Sequence, residues 1–338
     1  MSGKERSGIL TAGNFIVDRI KGIDLYPAED TLANIESEAR SNGGGPYNIL
    51  KDLSAMGVDY PLMAAGKIGA DEDGQWIIGD CENHGIDPTL LIQDQDQKTS
   101  YTDVMTVRET GRRTFFHHRG ANSYFLGEEI DFGVSSAKIF HLAYLMLLDG
   151  LDEFCESGRT RASLLLKRAS EAGLITSIDV VSTSHPHFRE IVLSSLPFTD
   201  HLFLNEIEAG RTLGIDLDPK DSSALSQAAI DLAKRGVRQS VILHTRYGAV
   251  RAGVDGSLLW QGSVNMPAPM ILGANGAGDA FAAGYLHGLH QGWSSQNAME
   301  LAACSAAMCL RDPSPSGGLR SVRECLELGQ QLGFSAVS

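Results

Sequence analysis

The stretch Leu272–Gly288, LGANGAGDAFAAGYLHG, sets Gly276, Ala277, Gly278 and Asp279 directly ahead of an apolar helical pattern. Successive backbone N–H groups at such a helix start, backed by the positive end of the helix dipole, form a site for a phosphate or for developing negative charge. An ionised Asp279 beside that anion hole is placed to accept a proton from an attacking hydroxyl. On spacing alone, an Asp279 that merely caps the helix, with glycines relieving crowding, explains the run equally well. The run is not a dinucleotide fingerprint, because Phe281 stands where a third glycine belongs. No GxxxxGK[ST] phosphate loop occurs in the chain.

Three other stretches carry chemistry-bearing residues. SNGGGPYNILKDLSAMG (41–57) precedes a helix expected from about Tyr47. Its Gly43 and Gly44 let a ligand approach the backbone, with Asn48 reaching it from the first turn; a plain helix-start loop is the rival. GNFIVD (13–18) puts Asn14 and Asp18 beyond the first strand, at the edge where open α/β sheets bind ligands. Both suit hydrogen bonding to hydroxyls, although an Asp that caps a turn fits too. In NEIEAG (205–210), Asn205 and Glu208 lie three apart on one helical face. That pair can hold magnesium through water, and it can equally close a capping box. His117 and His118 are adjacent on an expected strand, face opposite ways and cannot share a metal.

The elements that must position these residues follow from pattern. SGILTAG (7–13), YPLMAAG (60–66), AKIFHLAYL (137–145), LITSIDVV (174–181), DHLFLN (200–205) and SVILHT (240–245) read as buried strands. Helical spacing falls at 152–172, 187–196, 223–236 and 295–311, and the helix after Gly276 is expected to run to about His290. Alternation of this kind implies a mostly parallel sheet covered by helices on both faces. Residues 17–40 are polar and irregular, whereas 99–118 alternate around an ETGR turn. Together they could form a small antiparallel flap, or they are two unrelated surface excursions.

Bulk properties set limits. The 338 residues are 43% hydrophobic and 21% charged, enough for a sizeable core. A net charge of −14 without a basic stripe argues against nucleic acid as partner. No apolar run approaches membrane-spanning length, and the first residues lack the core of a signal peptide. Five cysteines with no CxxC pair point to a reducing, cytoplasmic setting.

Taken in order, the early glycine loop, the central Asn-x-x-Glu and the late Gly-Ala-Gly-Asp resemble the ribokinase-like (PfkB-type) carbohydrate kinases over nearly the whole chain. GKIGADEDG (66–74) is similar to that family's segment after its second strand–helix unit. The resemblance implies a single α/β/α kinase domain over 1–338, with a β-lid built from about 17–40 and 99–118. It implies that Asp279 is the catalytic base and that the 276–278 amides stabilise the transferring phosphoryl group. By the same resemblance Asn14, Asp18, Gly43, Gly44 and Asn48 hold the sugar, and ATP and Mg2+ are organised by Asn205 and Glu208. Thr245 and Gly248 fall on the nucleotide side, with Thr245 where the family has glycine.

Gly273 and Ala274 replace the family's Asp-Thr, which implies weak or absent activation by potassium. The family also sometimes dimerises through the lid. The expected activity is ATP-dependent phosphorylation of a hydroxyl on a small sugar or sugar acid. A nucleoside kinase and a non-catalytic sugar-binding protein are the alternatives. In FFHHRGAN (115–122), the aromatic and His residues would stack on a base, and Arg119 and Asn122 would read a sugar.

Overall fold

The computed structural model describes residues 6–336. In chain order the elements are β1 (Ile9–Gly13), β2 (Ile16–Ile23), β3 (Ile35–Gly43), α1 (Gly45–Ala55), β4 (Leu62–Gly69), α2 (Glu72–Asn83) and β5 (Ile86–Asp94). Then come β6 (Tyr101–Val107), β7 (Arg113–His118), β8 (Ile139–Leu145), α3 (Asp149–Asp152), α4 (Arg161–Glu171), β9 (Ile175–Val180) and α5 (Phe188–Ser195). The chain closes with β10 (His201–Asn205), α6 (Glu206–Leu213), α7 (Ser222–Ala233), β11 (Ser240–Thr245), β12 (Gly248–Gly253) and β13 (Leu258–Gly262). Three last helices follow: α8 (Ala277–His290), α9 (Ser295–Cys309) and α10 (Val322–Leu332).

Among the described residues, nine strands form one sheet in the order β13-β12-β11-β10-β9-β8-β1-β4-β5. All neighbours pair in parallel except β11/β12 and β12/β13, which form hairpins at one edge. Side-chain alternation splits the core in two. Ile9 faces a cluster with Leu50, Phe281 and Leu301, whereas Leu10 faces another with Leu165, Ile191 and Leu232. Helices α1, α8 and α9 thus cover one face, and α4, α5 and α7 the other. This is the three-layer arrangement expected from burial of apolar runs on both sides. Strand β1 pairs with β8 on one side and β4 on the other. The chain therefore reverses its progress across the sheet there, and the crevice beyond the ends of β1 and β8 is the natural ligand site.

A separate four-stranded sheet, in the order β3-β2-β6-β7, forms the lid. The stretch read as irregular, 17–40, contains most of two of its strands. Their alternation is weak because the outer part of β3 is exposed on both faces. Pairing is antiparallel for β2/β3 and β6/β7, but the seam joining the two hairpins, β2/β6, is parallel. The expected all-antiparallel flap is thus a mixed sheet. Register aligns Ser41, Asp18, Thr102 and His117 in one row across it.

The helix expected over 152–172 is also interrupted. Residues 155–158 make a tight turn, with the Gly158 N–H bonded to the Cys155 carbonyl. Thr160 then starts α4 by accepting the Ser163 N–H.

Candidate active site

Asp279 lies in the first turn of α8 and is 4% exposed. It does not cap the helix: Gly276 is the N-cap residue, with no side-chain cap bond. The carboxylate instead accepts a hydrogen bond on each oxygen, from Asn48 Nδ2 at 2.7 Å and from the Tyr144 hydroxyl at 2.6 Å. Burial raises its pKa above the ordinary carboxylate value, and these two donors pull it back.

Gly276 has φ 78°, and a Cβ there would stand 2.6 Å from the Pro315 carbonyl oxygen, so both conformation and space demand glycine. Cys309 Sγ ties this turn to the 315 loop by bonding the Asn275 and Pro315 carbonyls. The crowding reading and the anion-hole reading of the glycines are therefore compatible.

The sugar-side residues divide in two. Asp18 reaches the site from the lid; Asn275 and Thr102 hydrogen-bond its carboxylate, and burial pushes its pKa up to about 7. Gly43 passes directly beside that carboxylate, and Gly44 beside Asn14. Asn48 bridges Asn42, which donates to its Oδ1 at 2.7 Å, and Asp279. Asn14 is fully buried: its Oδ1 accepts the Tyr144 N–H and its Nδ2 donates to the Leu147 carbonyl. It braces the segment that carries Tyr144. Arg119 is paired with Asp149 at 2.6 Å, and Asn122 is spent on the Phe15 backbone. His117 and His118 face opposite ways as expected; His117 contacts Thr102, whereas His118 accepts from the Gly120 N–H.

On the phosphate side, a cleft of about 230 Å³ brings Tyr144, Asp179, Asn205, Glu208 and His244 against residues 276–279. Asn205 and Glu208 do close the capping box of α6. Glu208 also accepts the Ser182 hydroxyl at 2.8 Å and remains 4% exposed. Burial raises the pKa values of both Asp179 and Glu208, and their mutual repulsion adds to the effect on Asp179. Among the described residues no group of three or more His, Cys, Asp or Glu side chains is gathered to ligate a metal. Asp179 and Glu208, buried acids that join no ion pair among the described residues and line an open cleft, fit Mg2+, which keeps several waters and binds through one or two carboxylates plus substrate phosphates.

Beyond His244 opens a larger, mainly apolar cleft of about 530 Å³. Thr245 and Gly248 line it at the β11–β12 turn, with Phe281 and the small residues Ala303, Ala306 and Ala307 of α9. The Ala-rich face of that helix thus leaves room for a flat ring while also packing.

Four residues at this centre escaped the sequence reading: Tyr144, Asp179, His244 and Asn275. Three stand at or just beyond the carboxyl end of an apolar strand, and the fourth precedes Gly276. A single polar residue at the end of a buried strand was the signal available for the first three.

Comparison with known proteins bears on family and fold. The model of the pfkB family carbohydrate kinases matches residues 11–321. The chain is 27% identical over 278 residues to the probable chloroplastic fructokinase-6 of Arabidopsis thaliana, covering 78% of this chain and 67% of that one. It is 24% identical over 332 residues to a nucleoside kinase of Methanothermobacter thermautotrophicus, covering 96% of each. The Arabidopsis thaliana ribokinase complexed with ribose and ATP shares the fold at a TM-score of 0.78, with 20% identity over 98% of this chain and 100% of that one. The chain belongs to the PfkB family of carbohydrate kinases.

Proposed function

We propose that Asp279 is the general base in Mg2+-dependent transfer of the ATP γ-phosphoryl group to a hydroxyl of a small sugar or sugar acid. The observation that carries this reading is a buried carboxylate, oriented by two donors, in the first turn of a helix whose glycine-rich start lines the same cleft. Asp279 takes the hydroxyl proton while the oxygen attacks the γ-phosphorus and the bond to the ADP oxygen breaks. The amides of 276–278 face the charge that accumulates on the transferring group. Asp18 and the Asn42–Asn48 pair are the proposed sugar contacts, and the lid excludes the water that would otherwise be phosphorylated. Asn205 and Glu208, with Asp179, would hold Mg2+ through water; bound there, the ion neutralises the phosphates. The apolar cleft with Thr245 and Gly248 is the proposed adenine site. Phe115 supports a nucleoside as second acceptor class: it shares the lid face of Asp18 and His117 and is 55% exposed, free to stack on a base.

The test is ADP release from ATP across pentoses, hexoses, sugar acids and nucleosides. One acceptor far above the others supports the kinase reading and selects its class; a flat panel favours a fold kept for binding. The same assay with and without potassium gives equal turnover. A Cβ at position 273 would lie 2.9 Å from Pro313 Cα and 3.1 Å from Arg113 Nη2, and that guanidinium already donates to the Pro313 carbonyl. A steep potassium dependence would refute this.

Glu208→Gln separates the two roles of its side chain. Glutamine still closes a capping box, so thermal stability holds while the Mg2+ concentration for half-maximal rate rises roughly 10-fold. An unchanged Mg2+ requirement would leave Glu208 as a cap only.

We read the protein as cytoplasmic. Its five cysteines are free, and among the described residues no helix is long and apolar enough to cross a membrane. Exposed Leu32, Ile35 and Phe116 on the lid and its connection support pairing of two copies through their lids.

A further inference from the structure

We infer that Tyr144 is a positioning residue for the phosphoryl transfer: its hydroxyl, together with Asn48, holds the Asp279 carboxylate in its proton-accepting form and aims it at the acceptor. The inference rests on the reading of Asp279 as the base.

The two donors to Asp279 come from different elements. Asn48 projects from the first turn of α1 to Oδ2, and Tyr144 from the end of β8 to Oδ1. Asp279 joins no ion pair among the described residues, so these two hydrogen bonds replace the missing cation. Tyr144 is itself fixed. Its N–H donates to Asn14 Oδ1 at 2.5 Å. Its ring lies against Gly45, where a Cβ would stand 2.7 Å from Tyr144 Cε1, so the glycine at the start of α1 admits the aromatic ring. The GNFIVD and GGGPYN stretches thus converge on one phenol.

What faces Asp279 is otherwise acidic or neutral. Asp18 comes from the lid, Asp52 from α1 and Asp179 from β9, with the Cys309 thiol from α9 and Glu208 beyond Asp179. His244 beside Gly278 is held below the ordinary imidazole range, to about 4, by burial and is neutral. Tyr144 is pushed well above the ordinary phenol range by burial and by the Asp279 and Asp179 charges, so it stays a donor. Removing its proton donor leaves Asn48 alone against burial. The Asp279 pKa then rises, and less of the base is ionised at low pH.

Tyr144→Phe keeps the ring against Gly45 and deletes only this hydrogen bond. The acid limb of the kcat/KM profile is expected to move up by about one pH unit, with the deficit shrinking as pH rises and KM for ATP little affected. A loss of equal size at every pH, or no change, overturns the inference. A readout without turnover accompanies it: the infrared carboxyl titration of Asp279, assigned by subtraction of the Asp279→Asn spectrum, in wild type and in Tyr144→Phe. An upward shift of that titration supports the role of Tyr144 even if no acceptor is phosphorylated, which would count against the kinase reading alone. An unshifted titration overturns it whatever the activity.

Discussion

Asp279→Asn is expected to lower kcat by roughly 10²–10⁴-fold while sugar binding, read by calorimetry, survives. The amide is nearly isosteric and can still accept from one of the two donors, Asn48 or Tyr144, that orient residue 279. It cannot accept the hydroxyl proton. A drop of that size with intact binding is the signature of an interaction made in the transition state. Retained turnover would remove Asp279 from the chemistry and leave it as a structural carboxylate. Equal loss of binding and turnover would instead make it a sugar contact.

The second large effect concerns the backbone. Gly276→Ala adds a methyl group at φ 78°, directed at the Pro315 carbonyl from 2.6 Å. The left-handed conformation alone costs an alanine about 1–2 kcal/mol, and the clash forces the turn away from the 315 loop. The amides after it lose their aim, and kcat falls on the order of 10²–10³-fold, the scale for losing one oxyanion donor. A lowered thermal midpoint accompanies the loss. Normal kcat in a destabilised variant would show that the turn serves folding and not the anion hole.

The parts of the fold that were legible are those where one force dominates. SVILHT is buried on both faces and coincides with β11 to the residue. β5 was missed because it lies at the sheet edge, contains Pro88 and alternates buried with exposed residues, which dilutes the apolar run. The break before α4 is written in Gly158 and Thr160, a turn and a cap, but the helical spacing on either side masked it.

In the site, Asp279 and Asn48 stood out because glycines precede each of them, and Asp18 because it lies beyond the first strand. Tyr144 and Asp179 did not, since a lone polar residue at the end of a buried strand acquires meaning only when another element is brought to it. Asn14 shows the reverse limit. Its position just beyond β1 was legible, but the bonds of its amide to the backbone of residues 144–147 were not.

The parallel seam between β2 and β6 bears on the order in which the chain acquires its structure. The two halves of the lid are separated in sequence by α1, β4, α2 and β5, and a parallel pairing cannot close through a tight turn. During synthesis the β2–β3 hairpin emerges long before its partner and waits without a neighbour until residues beyond 100 have left the ribosome. The intervening β4–α2–β5 unit has to dock beside β1 first, because it fixes the loop closure that brings β6 alongside β2. The lid therefore closes only after the β4–α2–β5 unit has docked, and its stability is borrowed from the sheet beneath it.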